Sequence, residues 1–414
     1  MSIKNLIYKF LIKSQKITGT DNIYIAKYGS YLLLGDFISL IASFLLSIAF
    51  ARLLPKETYG EYRYILSIFG LLAIFSLQGM HSAVIQGVAR GFEGVLIKAF
   101  KTKLRWSLIG SLASICIAIY FWFQGNIVFT FSFLIVAVFL PLFKSGEIYQ
   151  SYLDGKKLFG KRVTYVNLIQ ILSTAFTICI LFLTKNLVIL ILVYFLSYSL
   201  LRLFFLFLTI KKLQPNKIDN PEIISLGKHL SLMGVLVIVS EQIDKILLFS
   251  LLGPVQLAIY SFAILPIEHL RTPLQSIQEL ALPKFSIRPA EEIKKTLPKK
   301  LLKSVFLITA IIIFYIIIAP YFYKIFYPQY INSVFYSRIF SFTLLVFPIS
   351  MIMLSLLAKT KTKELYKINI IYHIAQILFL AVSAILFGII GVIVARLLGY
   401  ILYFALAYYF FKKM

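Results

Sequence analysis

Residues Leu187 to Ile210 read LVILILVYFLSYSLLRLFFLFLTI, and Lys211-Lys212 follow at once. This run carries one charge, Arg202. As a helix it would reach roughly 36 Å, at about 1.5 Å per residue, against a hydrocarbon core of about 30 Å. A β-barrel strand is excluded, because the run is too long and does not alternate with period two. The stretch is therefore read as a transmembrane helix. Eleven others are expected beside it, near 31–53, 62–89, 105–123, 128–147, 163–183, 229–252, 256–280, 301–323, 333–357, 367–387 and 390–411.

The composition of the 414 residues agrees with that reading. Hydrophobic residues make up 60% and charged residues 14%, where a soluble chain has about 25% charged. Lys+Arg is 42 and Asp+Glu 16, a net charge of +26. On a soluble protein such a charge would point to nucleic acid; here it falls between apolar runs. Of the 42 basic residues, 32 lie in alternate connecting segments and the termini, 6 in the intervening set and 4 inside spans. By the positive-inside rule the rich set is cytoplasmic, as are both termini. The first apolar run is too long for a signal peptide, although Ala49-Phe50-Ala51 mimics a cleavage site. Ahead of it, Ile3, Leu6, Ile7, Phe10 and Leu11 share a helical face, which fits an interfacial helix in segment 1–30; a frayed basic tail is the alternative. Cys116 and Cys179 fall within spans and are expected to pack as small apolar residues.

Shifted by about 200 residues, the chain overlays itself. Leu53-Leu54-Pro55 through Tyr62 matches Leu251-Leu252-Gly253 through Tyr260, Asn167 matches Asn369, and Lys211-Lys212 matches Lys412-Lys413. Six spans per half give both halves one orientation, as in transporters built from parallel repeats. The expected plan is all-α: a segment 1–30, an N-lobe 31–212, a linker 213–228 holding Pro215 and Pro221, and a C-lobe 229–414.

The stretch Ala51-Arg52-Leu53-Leu54-Pro55-Lys56-Glu57-Thr58-Tyr59-Gly60-Glu61-Tyr62 resembles the first outer loop of bacterial polysaccharide (Wzx-type) flippases, of the MATE-like (MOP) superfamily. Its second-half partner, Ile243-Asp244-Lys245 through Leu252-Gly253-Pro254 to Ile259-Tyr260-Ser261, resembles it too, as does Leu153-Asp154-Gly155-Lys156-Lys157. Ala258 stands where the family often has Gly. The resemblance implies a V-shaped transporter of the bacterial cytoplasmic membrane. It implies that undecaprenyl-pyrophosphate-linked oligosaccharide is moved from the inner to the outer leaflet. A polysaccharide polymerase and chain-length proteins would be its partners, and no nucleic acid.

Ionisable residues inside spans are costly and mark polar pathways. In span eight Glu268, Arg271, Thr272, Gln275 and Glu279 form a polar face, and Pro266 and Pro273 lie within it. That face lines a cavity, or the segment emerges early onto the interface. In span seven Glu241, Asp244 and Lys245 share a face, either as a cavity wall or as an internal ion pair. Arg202 and Arg396 are the other basic candidates for a pyrophosphate, each with snorkelling as its alternative. Asp36, Glu241, Asp244 and Glu268 are the candidates for H⁺ or Na⁺ coupling, with no other cofactor expected. Arg52 and Arg63 flank the first outer loop, as anchors or as a gate. His81 and His269 are read as packed polar contacts, and Glu147 and Glu279 as flanking an entrance. Competing functions are a MATE-type drug exporter, a peptidoglycan-precursor flippase and a membrane polymerase or ligase. The last would need a large outer loop, and every outer loop here is short.

Overall fold

The computed structural model describes residues 22–279, 285, 288–359 and 361–413, with the backbone alone at 22–33 and 275–279. The apolar face at Ile3 to Leu11 lies outside the described residues, as do the side chains of Gln275 and Glu279. In order, the helices are α1 Asn22–Leu53, α2 Lys56–Leu72, α3 Met80–Ala89, α4 Val95–Phe123, α5 Ile127–Gly146, α6 Tyr149–Gly155, α7 Phe159–Leu183 and α8 Leu187–Leu213. There follow α9 Pro221–Met233, α10 Val235–Leu252, α11 Pro254–Glu279, α12 Ala290–Phe326, α13 Ser333–Phe340, α14 Val346–Ala358 and α15 Thr362–Lys412. Among the described residues nine helical stretches are long and apolar enough to cross a membrane, or ten if α2 and α3 form one bent span.

Local sequence explains several boundaries. Asn126, Asn186 and Asn220 cap α5, α8 and α9, each side-chain oxygen accepting from a first-turn N–H at 2.9–3.0 Å. Pro221 stands in the first turn of α9, where its missing N–H costs nothing. Three of the expected runs take a different form. The run 62–89 is not one helix: a 3₁₀ turn at Ala73–Ser76 and a left-handed Leu77 (φ 52°) separate α2 from α3, which bend by 47°. The runs 367–387 and 390–411 form α15, interrupted at Gly388 (φ 56°, ψ −133°). A Cβ on Gly391 would lie 2.0 Å from the Ser383 carbonyl oxygen, and one on Gly399 would lie 1.6 Å from Gln376 Oε1. Residues on either side of Gly388 thus face each other, and α15 is an antiparallel hairpin. The expected span at 256–280 is helical in α11 but is not among the nine apolar stretches.

The chain divides into two compact units, 38–261 and 1–37 with 262–414. In the first unit the small-residue face of α4 packs on α5, with Ser111 and Ser114 donating to the carbonyls of Ala137 and Phe133 at 2.6 and 2.8 Å. Small residues let membrane helices approach closely, and hydroxyls bond across the gap. The α2–α3 pair runs antiparallel along α9–α10. A Cβ on Gly60 would sit 1.9 Å from the Pro254 carbonyl oxygen, and one on Gly79 2.4 Å from the Ser231 nitrogen. The segment ahead of α9 is bonded to the loop before α4. Asn216 Nδ2 donates to the Gly91 carbonyl at 3.1 Å, Gly94 N donates to the Ile218 carbonyl at 2.9 Å, and Lys98 pairs with Asp219.

In the second unit α12, α14 and α15 share a core that includes Ile293, Leu297, Ile352, Ala407 and Phe411. Tyr323 donates to the Phe262 carbonyl at 2.7 Å and Arg338 Nε to the Ile316 carbonyl at 3.0 Å. Both units expose large apolar side chains, Phe123 and Phe306 among them. Such a surface suits lipid, not water. Cys116 and Cys179, expected to pack as small apolar residues, are free and exposed on their helices.

Candidate functional site

The most concentrated chemistry lies in unit 38–261, at the break between α2 and α3. His81 stands in the first turn of α3, whose N-terminus carries the positive end of the helix dipole. Lys103 comes from α4, Lys144 from α5, Glu147 from the residue after α5, and Arg202 from α8. Arg202 Nη1 donates to Glu147 Oε2 at 2.7 Å and to the Phe143 carbonyl at 2.9 Å, with its guanidinium 4.0 Å from the centre of the Phe143 ring. Lys103 Nζ lies 3.0 Å from His81 Nε2 and 3.9 Å from Glu147 Oε1. With Lys103 donating, His81 Nε2 is the acceptor and Nδ1–H faces Ser151 Oγ at 2.8 Å. Lys144 Nζ sits 5.3 Å from the Phe69 ring centre. Two cations therefore pair with one carboxylate, a third stands over the adjacent Phe69 ring, and Lys103 is fully buried.

Sequence reasoning located this cluster only in part. Arg202, expected to line a cavity or to snorkel, turns toward Glu147. Glu147, read as flanking an entrance, is the centre of the group. Lys103 and Lys144 were counted as loop cations, yet about 12 Å of helix separates Lys103 from the start of α4. The signal for Lys103 was present. Ala99, Lys103, Ser107, Gly110, Ser111, Ser114 and Ala118 fall on one helical face, and all are buried. A Lys on a small-residue stripe is aimed into the protein.

Span seven resolves differently. Asp244 is fully buried and accepts from the Tyr260 hydroxyl and from Lys245 N, while Lys245 Nζ donates to the Glu241 carbonyl at 2.7 Å and lies 3.9 Å from Asp244. Asp244 and Lys245 thus lie in contact with each other, and Glu241 itself is exposed. Asp36 and Arg63 are half-buried and Arg52 is exposed.

In the second unit Arg271 Nη1 donates to the Tyr400 hydroxyl at 3.4 Å, and Tyr372 stacks on Tyr400 and packs on Tyr403. Arg271 and Arg396 both lie within electrostatic range of the Tyr372 hydroxyl. Glu268 and Thr272 are exposed on α11, Thr272 bonding back to the Glu268 carbonyl at 3.2 Å. Tyr400 also borders an apolar groove of about 470 Å³ walled by Val305, Phe342, Ile349 and Phe404. Cation, phenols and apolar wall thus meet at Tyr400.

The fold is that of known transporters. The chain is similar to an inward-facing multidrug resistance MATE family transporter of the MOP superfamily (TM-score 0.66, 15% identity, 91% of this chain and 95% of that one). It is similar to the lipid II flippase MurJ in an inward closed conformation (TM-score 0.65, 15% identity, 92% and 87%). A third likeness is to a MOP superfamily transporter from Pyrococcus furiosus Vc1, described as having a binding pocket of reverse polarity (TM-score 0.61, 15% identity, 94% and 95%). No curated protein sequence matches the chain significantly. A model of the polysaccharide biosynthesis protein family matches residues 25–286, more than half of the chain, and the chain, a multi-pass membrane protein with the MOP-superfamily fold, belongs to that family.

Proposed function

We propose that this protein flips a lipid-linked oligosaccharide, carried on undecaprenyl pyrophosphate, from the inner to the outer leaflet of a bacterial cytoplasmic membrane. The observation that carries the reading is the excess of cations around Glu147 in a chain of the polysaccharide biosynthesis family. Lys103 and Arg202 pair with a single carboxylate, and Lys144 stands over the neighbouring Phe69 and Phe143 rings. A pyrophosphate offers more negative charge and more acceptor oxygens than that carboxylate, and Arg in particular binds phosphate through paired N–H bonds. In the second unit Arg271 and Arg396 with Tyr372 and Tyr400 form a further cationic group. The groove beside Tyr400 suits a polyprenyl tail, which then need not leave apolar surroundings.

The mechanism proposed is alternating access by two six-helix lobes of a twelve-span chain, with linker 213–228 and both termini cytoplasmic. Asp36, Glu241, Asp244 and Glu268 are the carboxylates through which H⁺ or Na⁺ would couple. Lys245, Thr272 and Gln275 are proposed to line the path, and Arg52 and Arg63 to guard its outer end. A polysaccharide polymerase and chain-length proteins would receive the product. The family and the fold favour a transporter over an enzyme. Export of cationic drugs suits these basic clusters less well than an anionic head group does. The test is complementation of a flippase-deficient strain. Export of surface polysaccharide should return with the native chain and fall at least tenfold with Arg202→Ala or Lys103→Gln. Full export by both variants and by their combination would sink the assignment.

A further inference from the structure

A second basic site lies outside the Glu147 cluster. The first turns of α4 and α9 enclose a pocket of about 440 Å³ whose lining includes Lys98, Lys101, Thr102, Arg105, Ser225 and Lys228. We propose that this pocket binds the phosphodiester head group of an anionic phospholipid.

Charge is the first argument. Lys98 is paired with Asp219. Among the described residues no carboxylate lies within ion-pair distance of Lys101, Arg105 or Lys228. Three like charges drawn into one concavity repel one another unless an anion joins them. The hydroxyls of Thr102 and Ser225 add donors for phosphate oxygens.

Depth is the second argument and selects a lipid. The chain has two tryptophans, and both lie on α4. Trp106 follows Arg105 and is 41% exposed, with Lys228 Nζ 5.8 Å from its ring centre. Trp122 is 59% exposed, about 24 Å further along the helix. Tryptophan is enriched at membrane interfaces, and the exposed Trp106 sits where the basic first turns of α4 give way to its apolar length. The pocket therefore stands at head-group level. Immediately beyond it α4 exposes Leu108, Ile109 and Leu112, the surface that acyl chains below such a head group would cover. Basic pockets between membrane helices at this level hold anionic lipid head groups.

Trp106 also supplies the test. In a Trp122→Phe chain, reconstituted in symmetric vesicles, brominated phosphatidylglycerol should quench Trp106 several-fold more than brominated phosphatidylcholine at the same mole fraction. Lys101→Gln, Arg105→Gln and Lys228→Gln should each reduce that preference, by about fivefold per cation at most, and the triple variant should abolish it. The converse reporter, Trp106→Phe, should show no preference. The single variants carry the test if the triple variant fails to fold. Equal quenching by both lipids in the native background, or an unchanged preference in all the variants, overturns the proposal. Loss of the preference in millimolar inorganic phosphate would make this a site for free phosphate instead. Because the vesicles are symmetric and no transport is measured, failure here would leave the flippase reading untouched, and the reverse holds too.

Discussion

Glu147 shows how one side chain can hold several helices. It accepts from Arg202 at 2.7 Å and lies 3.3 Å from His81 Nε2 and 3.9 Å from Lys103 Nζ. Removing one partner of a buried ion pair strands the other at about 3–5 kcal/mol. Glu147→Gln is therefore expected to lower the thermal midpoint in detergent sharply, and Arg202→Lys less so, because the charge survives while the planar fork is lost. Glu93 makes a comparable point outside the spans. Burial works against its carboxylate, but the bonds from Lys156 and Tyr152 outweigh that and hold its pKa below the ordinary carboxylate value. A depressed carboxylate stabilises the fold above its unfolded pKa of about 4.3 and loses that contribution as pH falls through the folded value. The gap in thermal midpoint between the native chain and Glu93→Gln should be present at pH 7 and close as pH falls through the lowered folded value. A gap that persists at low pH would mean that packing, not charge, sets the effect.

At the scale of elements, breaks matter as much as helices. The α2–α3 break brings the N-terminus of α3 and His81 to the buried carboxylate, and unwound turns inside a membrane are tolerated only where protein or water meets their backbone. The hairpin at Gly388 uses backbone angles that side chains strongly resist, at about 1–3 kcal/mol. Gly388→Ala should therefore lower the thermal midpoint although no contact is removed. Gly60 packs its Cα against the Pro254 carbonyl, and Gly60→Val should destabilise α2 against the start of α11 by about 1–3 kcal/mol through overpacking. Such a variant that melted with the native chain would show that this seam can yield.

For the whole molecule the charge bias gives a topology prediction. Single cysteines at Lys157 and Lys217, in a background lacking Cys116 and Cys179, should react with an impermeant maleimide from one side of the membrane, and cysteines at Gly125 and Lys185 from the other. Labelling of all four from one side would overturn the alternation of spans.

Much of this organisation was legible along the chain. The apolar run at 187–210 became α8, while of the linker expected at 213–228 the part 214–220 is a bonded loop and 221–228 belongs to α9. These features are local: a length of apolar side chains and a proline. The path of the 62–89 run was not legible, because it depends on Leu77 adopting a left-handed conformation that its own sequence disfavours. Nor was the partnership of Lys103, Glu147 and Arg202, which are distant in sequence and meet only once α4, α5 and α8 pack. The sequence by itself determined that the chain enters a membrane and the expected positions of its helices, because hydrophobic transfer acts on each segment separately. Only the tertiary structure decided which charges are sheltered together, because their pairing is decided by helix packing that no single segment encodes.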